Sequence, residues 1–159
     1  MTEMRRYLFP GLCVIALIVA LHTMTLSSAV ATALPIEQVE ILTAGGERHT
    51  FHAWLADTPE TRARGLMHIT ELAPDHGMLF DFEAPRHVGM WMKNTPLSLD
   101  MLFIEATGRI ARIEALTTPF SEELISSGTA VRAVLEINGG RAAELGILAG
   151  DQVVHRLFP

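Results

Sequence analysis

Beyond residue 33 the apolar stretches of this chain are short, and turn-forming residues close each one before it can make a long helix. Ile36 to Leu42 runs into Ala44-Gly45-Gly46-Glu47, Gly77 to Phe82 stops short of Pro85, Asp100 to Ala106 meets Thr107-Gly108, and Ala130 to Ile137 is followed by Asn138-Gly139-Gly140. A strand of this length can cross a small domain, whereas a helix of this length makes about two turns and buries little, so the rhythm favours a sheet. The expected strands are Ile36–Leu42 and Arg48–Ala56 as a hairpin, Gly77–Phe82 and Arg86–Lys93 joined around Pro85, Asp100–Ala106 with Arg109–Leu116, then Ala130–Ile137 and Gln152–Leu157. Thr117 to Thr129 is read as a polar loop.

Two segments carry helix signals. Thr58 is placed to cap, Pro59 sits where a missing N–H costs least, Glu60 suits the positive end and Gly65 marks a stop. A short helix within Asp57–Met67 follows, with Ala63, Leu66 and Met67 expected to face inward. A second is expected over Arg141–Leu145, opened by Gly139-Gly140 and ended by Gly146. Strands and helices in loose order imply an α+β domain on a mostly antiparallel, curled or barrel-like β-sheet with two short helices, because curling removes the unpaired edges of an open sheet.

The first 33 residues read differently. Arg5 and Arg6 precede the apolar run Tyr7–Leu21, and small residues lead to Ala31-Thr32-Ala33, the pattern of a secretory signal peptide cleaved before Leu34, with a cut after Ala31 as the alternative. The other reading is an uncleaved anchor over residues 7–26, with contact to a membrane only through that segment. Cleavage leaves residues 34–159 as a single domain, periplasmic or secreted. The only cysteine, Cys13, falls in the signal, which excludes disulfide, thiol-nucleophile and thiolate-metal chemistry from the remainder. Removing Glu3, Arg5 and Arg6 from 18 acidic and 12 basic residues leaves seventeen against ten, a charge of −7 with histidines neutral. That balance argues against nucleic acid as a partner.

Several ordered motifs then coincide. Ala56-Asp57-Thr58-Pro59-Glu60, Arg62-Ala63-Arg64-Gly65-Leu66-Met67, Gly77-Met78-Leu79-Phe80, Trp91-Met92-Lys93-Asn94-Thr95, Leu99-Asp100, Phe103-Ile104, Gly108-Arg109, Val134-Leu135-Glu136, Gly139-Gly140 and Gly146-Ile147 with Gly150-Asp151 stand in this order. The chain resembles the bacterial and archaeal family called domain of unknown function 192 over most of residues 34–159. The resemblance implies a compact β-rich, often exported protein and no agreed activity, cofactor or partner. It departs from the family in lacking, between Thr117 and Thr129, the cysteines that some members carry, and in having Ala133 where an aromatic is usual.

The Trp91–Asp100 segment is the candidate site. Read as a strand, it sends Trp91 and Lys93 to one face and Met90, Met92 and Asn94 to the other, with Asp100 returning to balance Lys93. An indole beside an ammonium suits an acidic or carbonyl-bearing ligand, and Arg64 can add a guanidinium from the helix. The candidate ligand-binding set is therefore Arg64, Trp91, Lys93, Asn94 and Asp100, for a small molecule or a protein segment. The plainer reading makes Trp91 and Met92 core, Asn94 a turn residue, Lys93–Asp100 a salt bridge and Glu60–Arg64 a helical ion pair. Asp81, Glu83 and Arg86 are read as solvated turn charges, and Glu136, in an apolar strand, needs a partner if buried.

Two other functions stay open. An enzyme would use Asp100 or Glu136 as base with Lys93 or Arg64 stabilising charge. A periplasmic Cu(I) carrier would use the thioethers of Met90 and Met92 on one strand face. Nucleophile elbows, phosphate loops and H-E-x-x-H motifs are absent from the sequence, and no resident metal or catalytic residue is assigned.

Overall fold

The computed structural model of the chain describes residues 34–159. The expected signal peptide, its two cleavage points and the alternative anchor lie outside the described residues. Seven strands and two short helices follow in the order β1 (Ile36–Leu42), β2 (Arg48–Ala56), α1 (Pro59–Arg64), β3 (His76–Met90), β4 (Leu99–Ile104), β5 (Ile110–Glu114), β6 (Ile125–Asn138), α2 (Arg141–Glu144) and β7 (Gln152–Val154). They form one sheet in the order β5-β4-β6-β3-β2-β1-β7. It is a curled half-barrel, antiparallel except for the β2–β3 pair. The helices are so short that the domain is dominated by its sheet, and α+β describes it only loosely.

Alternation along β1 and β2 turns Val39, Ile41, Phe51, Ala53 and Leu55 into the hollow of the curl while Thr50 and His52 stay exposed. The hairpin closes where Gly46, at φ 86°, lets its N–H reach Thr43 O at 2.9 Å. Leu79, Leu102, Ile104, Leu135, Ile137, Ile147, Val153 and Phe158 complete that core. Strands β4 and the inner half of β6 are buried on both faces, so a second core lies on the other side, built around Leu66, Met78, Phe80, Met101, Phe103 and Val134. The two edge strands meet at one corner through the Arg109–Gln152 bridge. Gly108 makes that junction possible, since a Cβ there would come within 2.4 Å of Gln152 Nε2 and 2.6 Å of Val153 O.

The parallel β2–β3 pair sets the position of α1. Parallel neighbours require a crossover, and α1 with residues 65–75 supplies it, lying against the second core. The expected caps are present: Thr58 and Thr61 form a reciprocal capping box, Pro59 starts the helix and Gly65 ends it. Leu66 is buried and Met67 half-buried, but Ala63 is exposed, because the helix has no turns to spare beyond one contact stripe.

Three expected elements differ. Gly77–Phe82 and Arg86–Lys93 are one strand, β3, which passes Pro85 through an irregularity between Asp81 and Arg86 with Glu83 at φ 66°. That strand ends at Met90, so Trp91–Asn94 is not a strand. The central strand β6 begins at Ile125 rather than Ala130, absorbing part of the expected loop.

Candidate functional site

The segment after Met90 is held from both sides. Met92 N–H donates to Ser121 O at 2.9 Å, Phe120 N–H to Thr95 O at 3.0 Å and His68 N–H to Asn94 O at 2.9 Å. Asn94 takes φ 54°, a left-handed conformation that asparagine tolerates better than most residues. These bonds fold Trp91–Thr95 into a turn over the second core, beside α1.

Between this turn, α1 and the outer half of β3 lies a cavity of about 450 Å³. Burial sorts its lining into floor and rim. Leu66, Phe80, Phe82, Thr95 and Glu136 are buried at the floor, while Arg64, Arg86 and Trp91, the last 46 % exposed, stand at the rim. Lys93 is half-buried beside them. Its Nζ lies 5.3 Å from the Trp91 ring centroid and 3.3 Å from Glu122 Oε2. Arg86 covers the Phe82 ring at 5.0 Å, and Arg62 approaches the same ring at 5.8 Å.

The four cations are not equivalent. Arg62 is committed to the fold, donating to Asp57 O at 2.7 Å and Asp81 O at 2.6 Å. The guanidiniums of Arg64 and Arg86 make no ion pair or hydrogen bond among the described residues, and the Glu60–Arg64 pair allowed by helical spacing does not form. The rim thus presents two guanidiniums whose donors are not satisfied within the fold, with Lys93 held loosely beside them.

Glu136 is the chemical exception at the floor. Cross-strand register places it between Met78 on β3 and Met101 on β4, both buried. It is 4 % exposed, and its carboxyl meets no hydrogen-bonding group among the described residues. Burial alone pushes its pKa up to about 8. The sequence marks this glutamate as needing a partner, and none is present among the described residues.

The other expectations divide. Of the five candidate ligand residues, Arg64, Trp91 and Lys93 line the cavity. Asn94 is exposed and shapes the turn, its Nδ2 lying 3.8 Å from Met67 Sδ. Asp100 is fully buried elsewhere: Oδ1 accepts from Leu116 N–H and Gly140 N–H at 2.9 Å, and Oδ2 from Ala142 N–H at 2.9 Å. It therefore anchors the start of α2 and the loop after β5, and it neither balances Lys93 nor lines the cavity. Asp81 is likewise buried, paired with Arg132 and accepting from Glu83 N–H at 2.6 Å, not solvated as read from the sequence. The two-thioether strand face does not exist, because β3 ends between Met90 and Met92; Met90 lines the cavity and Met92 is packed in the core. Arg86, read from the sequence as a solvated turn charge, is exposed as expected and also lines the cavity.

A sheet-dominated half-barrel carrying a cation-rimmed cavity beneath its crossover helix defines the class of this molecule. The chain matches the domain of unknown function 192 family (DUF192), described as "Uncharacterized ACR", over residues 40–155, and it belongs to that family. It is similar in structure to a Sinorhizobium meliloti protein named provisionally as a transcription regulator, at 46% identity and TM-score 0.76, covering 77% of this chain and 95% of that one. It is also similar to a protein of unknown function from Novosphingobium aromaticivorans, at 39% identity and TM-score 0.75, covering 79% of this chain and 89% of the other. No curated protein matches it.

Proposed function

We propose that the protein is an exported binding module that takes a small amphipathic anion into the cavity beside α1, with the charged head at Arg64, Arg86 and Lys93 and the apolar body against Trp91, Phe82, Phe80 and Leu66. The observation that carries this reading is the pair of guanidiniums, Arg64 and Arg86, unpartnered among the described residues at the mouth of a cavity of about 450 Å³ whose floor is mostly apolar. That volume is in the usual range for small-molecule sites, whereas a protein segment would need a longer groove. Export rests on the Arg5-Arg6, Tyr7–Leu21 and Ala31-Thr32-Ala33 pattern. The regulator name carried by one relative is not adopted, since 18 acidic against 12 basic residues is a poor balance for DNA.

The test is titration of the full chain with 8-anilinonaphthalene-1-sulfonate and competition by octanoate. Saturable fluorescence displaced by octanoate is expected. Arg64→Ala with Arg86→Ala weakens it by about thirtyfold, taking roughly 1 kcal/mol for each partly exposed charge contact. Binding that is absent, or indifferent to both substitutions, rejects the reading. One observation favours a second reading, an enzyme in which Glu136 is a general acid: a buried carboxyl of raised pKa in a cleft is a common catalytic device. Turnover of an ester or glycoside substrate that disappears in Glu136→Gln supports the enzyme, and binding without turnover supports the module.

A further inference from the structure

Recognition of a head group at the rim leaves the floor unexplained. Glu136 sits in the cavity wall with no hydrogen-bonding neighbour among the described residues, between the buried thioethers of Met78 and Met101. The charged groups that line the cavity with it are Arg62 and Arg64 from α1, Arg86 from β3 and Lys93 from the turn after β3; β4 contributes no charge on this face, and no other carboxylate or histidine lines the space.

Resting on the binding reading above, we infer that Glu136 serves as the acid-form hydrogen-bond donor to the buried end of the ligand, so that the ligand is an anion with a carbonyl oxygen remote from its charge. A lone carboxyl O–H in an apolar wall loses its water when a ligand enters, and it must then be given an acceptor or remain unsatisfied. A carbonyl oxygen meets that need and an alkyl end does not. An ammonium end would need an ionised Glu136 and would have to pass Arg64, Arg86 and Lys93 at the mouth. Burial, which holds the carboxyl in its acid form up to about pH 8, agrees with the geometry.

The experiment compares three carboxylates of nearly equal length, octanoate, 7-oxooctanoate and the zwitterion 7-aminoheptanoate, as competitors of 8-anilinonaphthalene-1-sulfonate on the full chain at about pH 6 and about pH 9.5. At the lower pH the ketone is expected to bind about tenfold more tightly than octanoate, the factor for one hydrogen bond. At the higher pH, with Glu136 ionised, that preference disappears. Glu136→Gln retains a donor and keeps the preference at both values, and Glu136→Met loses it at both. The wild-type profile alone is decisive should either variant fail to fold. Equal binding of octanoate and the ketone, a preference unchanged with pH, or selection of the amine overturns the inference while leaving anion binding in place. If none of the three competes, the binding reading itself falls and this inference falls with it.

Discussion

Replacing Glu136 by glutamine is expected to stabilise the protein, and to do so more as pH rises. The carboxyl has an ordinary pKa of 4.5 in the unfolded chain and about 8 in the fold, where burial disfavours its charge. The folded state therefore binds the proton more tightly than the unfolded state. The contribution of this group is fully present below about pH 4.5, declines as pH rises, and is fully lost above about pH 8. The interval is 8 minus 4.5, or about 3.5 pH units, and at 1.36 kcal/mol per unit it amounts to about 5 kcal/mol. At pH 7 the loss is already about 3 kcal/mol, a large part of the 5–15 kcal/mol typical of a whole domain.

Glutamine has nearly the same shape and never ionises, so subtracting the two proteins cancels every other titrating group. The measurement is urea unfolding of wild type and Glu136→Gln at steps between about pH 4.5 and 9.5. Near the acid end the two should differ little. The advantage of the variant should grow by about 1.4 kcal/mol per pH unit and level off above about pH 8, with the urea dependence of the free energy unchanged. A difference that stays flat within about 0.5 kcal/mol across the series would refute the reasoning, since it would mean that this carboxyl ionises in the fold as easily as in water.

Three further outcomes are expected. Asp100→Ala leaves three backbone N–H groups without their charged acceptor and should cost about 4 kcal/mol in urea unfolding, while the protein that remains folded keeps its anion affinity; an unchanged midpoint would contradict the anchoring role. Gly108→Ala, at φ 84° with a carbonyl 2.6 Å from the new Cβ, should destabilise by about 2 kcal/mol or more and speed amide exchange at Ile110 and Val153, the corner where β5 meets β7. Expression in a bacterial host should release a mature chain whose first residue is Leu34 or Thr32, read from intact mass, and retention of residues 1–33 on the membrane would favour the anchor instead.

What was legible in the sequence is what depends on neighbours in the chain. The β1–β2 hairpin, the Thr58 cap with Pro59 behind it, and the β4–β5 pair across Thr107-Gly108 are set by residues within a few positions of one another, and all three occur. Trp91–Asn94 defeated the strand reading because its conformation is imposed from a distance, by Ser121, Phe120 and His68, and because a proline taken as a break was accommodated in β3 by an irregularity. Asp100 was misassigned for the same reason. Its three partners lie 16, 40 and 42 residues away, and no local pattern distinguishes a carboxylate that holds backbone from one that faces a ligand. Arg64, Trp91 and Lys93, which line the cavity, were singled out because the helix could aim a guanidinium across the mouth of the sheet and because an indole and an ammonium stand together in an apolar segment. Arg86, which lines the same cavity, was read as a solvated turn charge and is exposed, since a cation beside a proline turn carries no local mark of a cavity next to it.

Two of the buried carboxylates, Asp100 and Glu136, make the physical contrast behind the proposed binding site. Asp100 is as deeply enclosed as Glu136, yet its oxygens are matched by three N–H donors, so its burial is compensated inside the fold. Glu136 has no such compensation and costs about 3 kcal/mol at pH 7 relative to its unfolded state. A methionine like Met78 or Met101 on either side would fill the same space without that cost. On the proposed binding reading, a group that weakens the fold and packs no better than its neighbours is kept for a ligand, and the cavity it lines, ringed by two guanidiniums unpartnered among the described residues, is where that ligand would enter. The pH dependence of Glu136→Gln stability and the ketone preference of wild type thus probe one carboxyl from two sides. If the first is seen without the second, the glutamate is strained but idle, and the case for a ligand reaching the floor is lost.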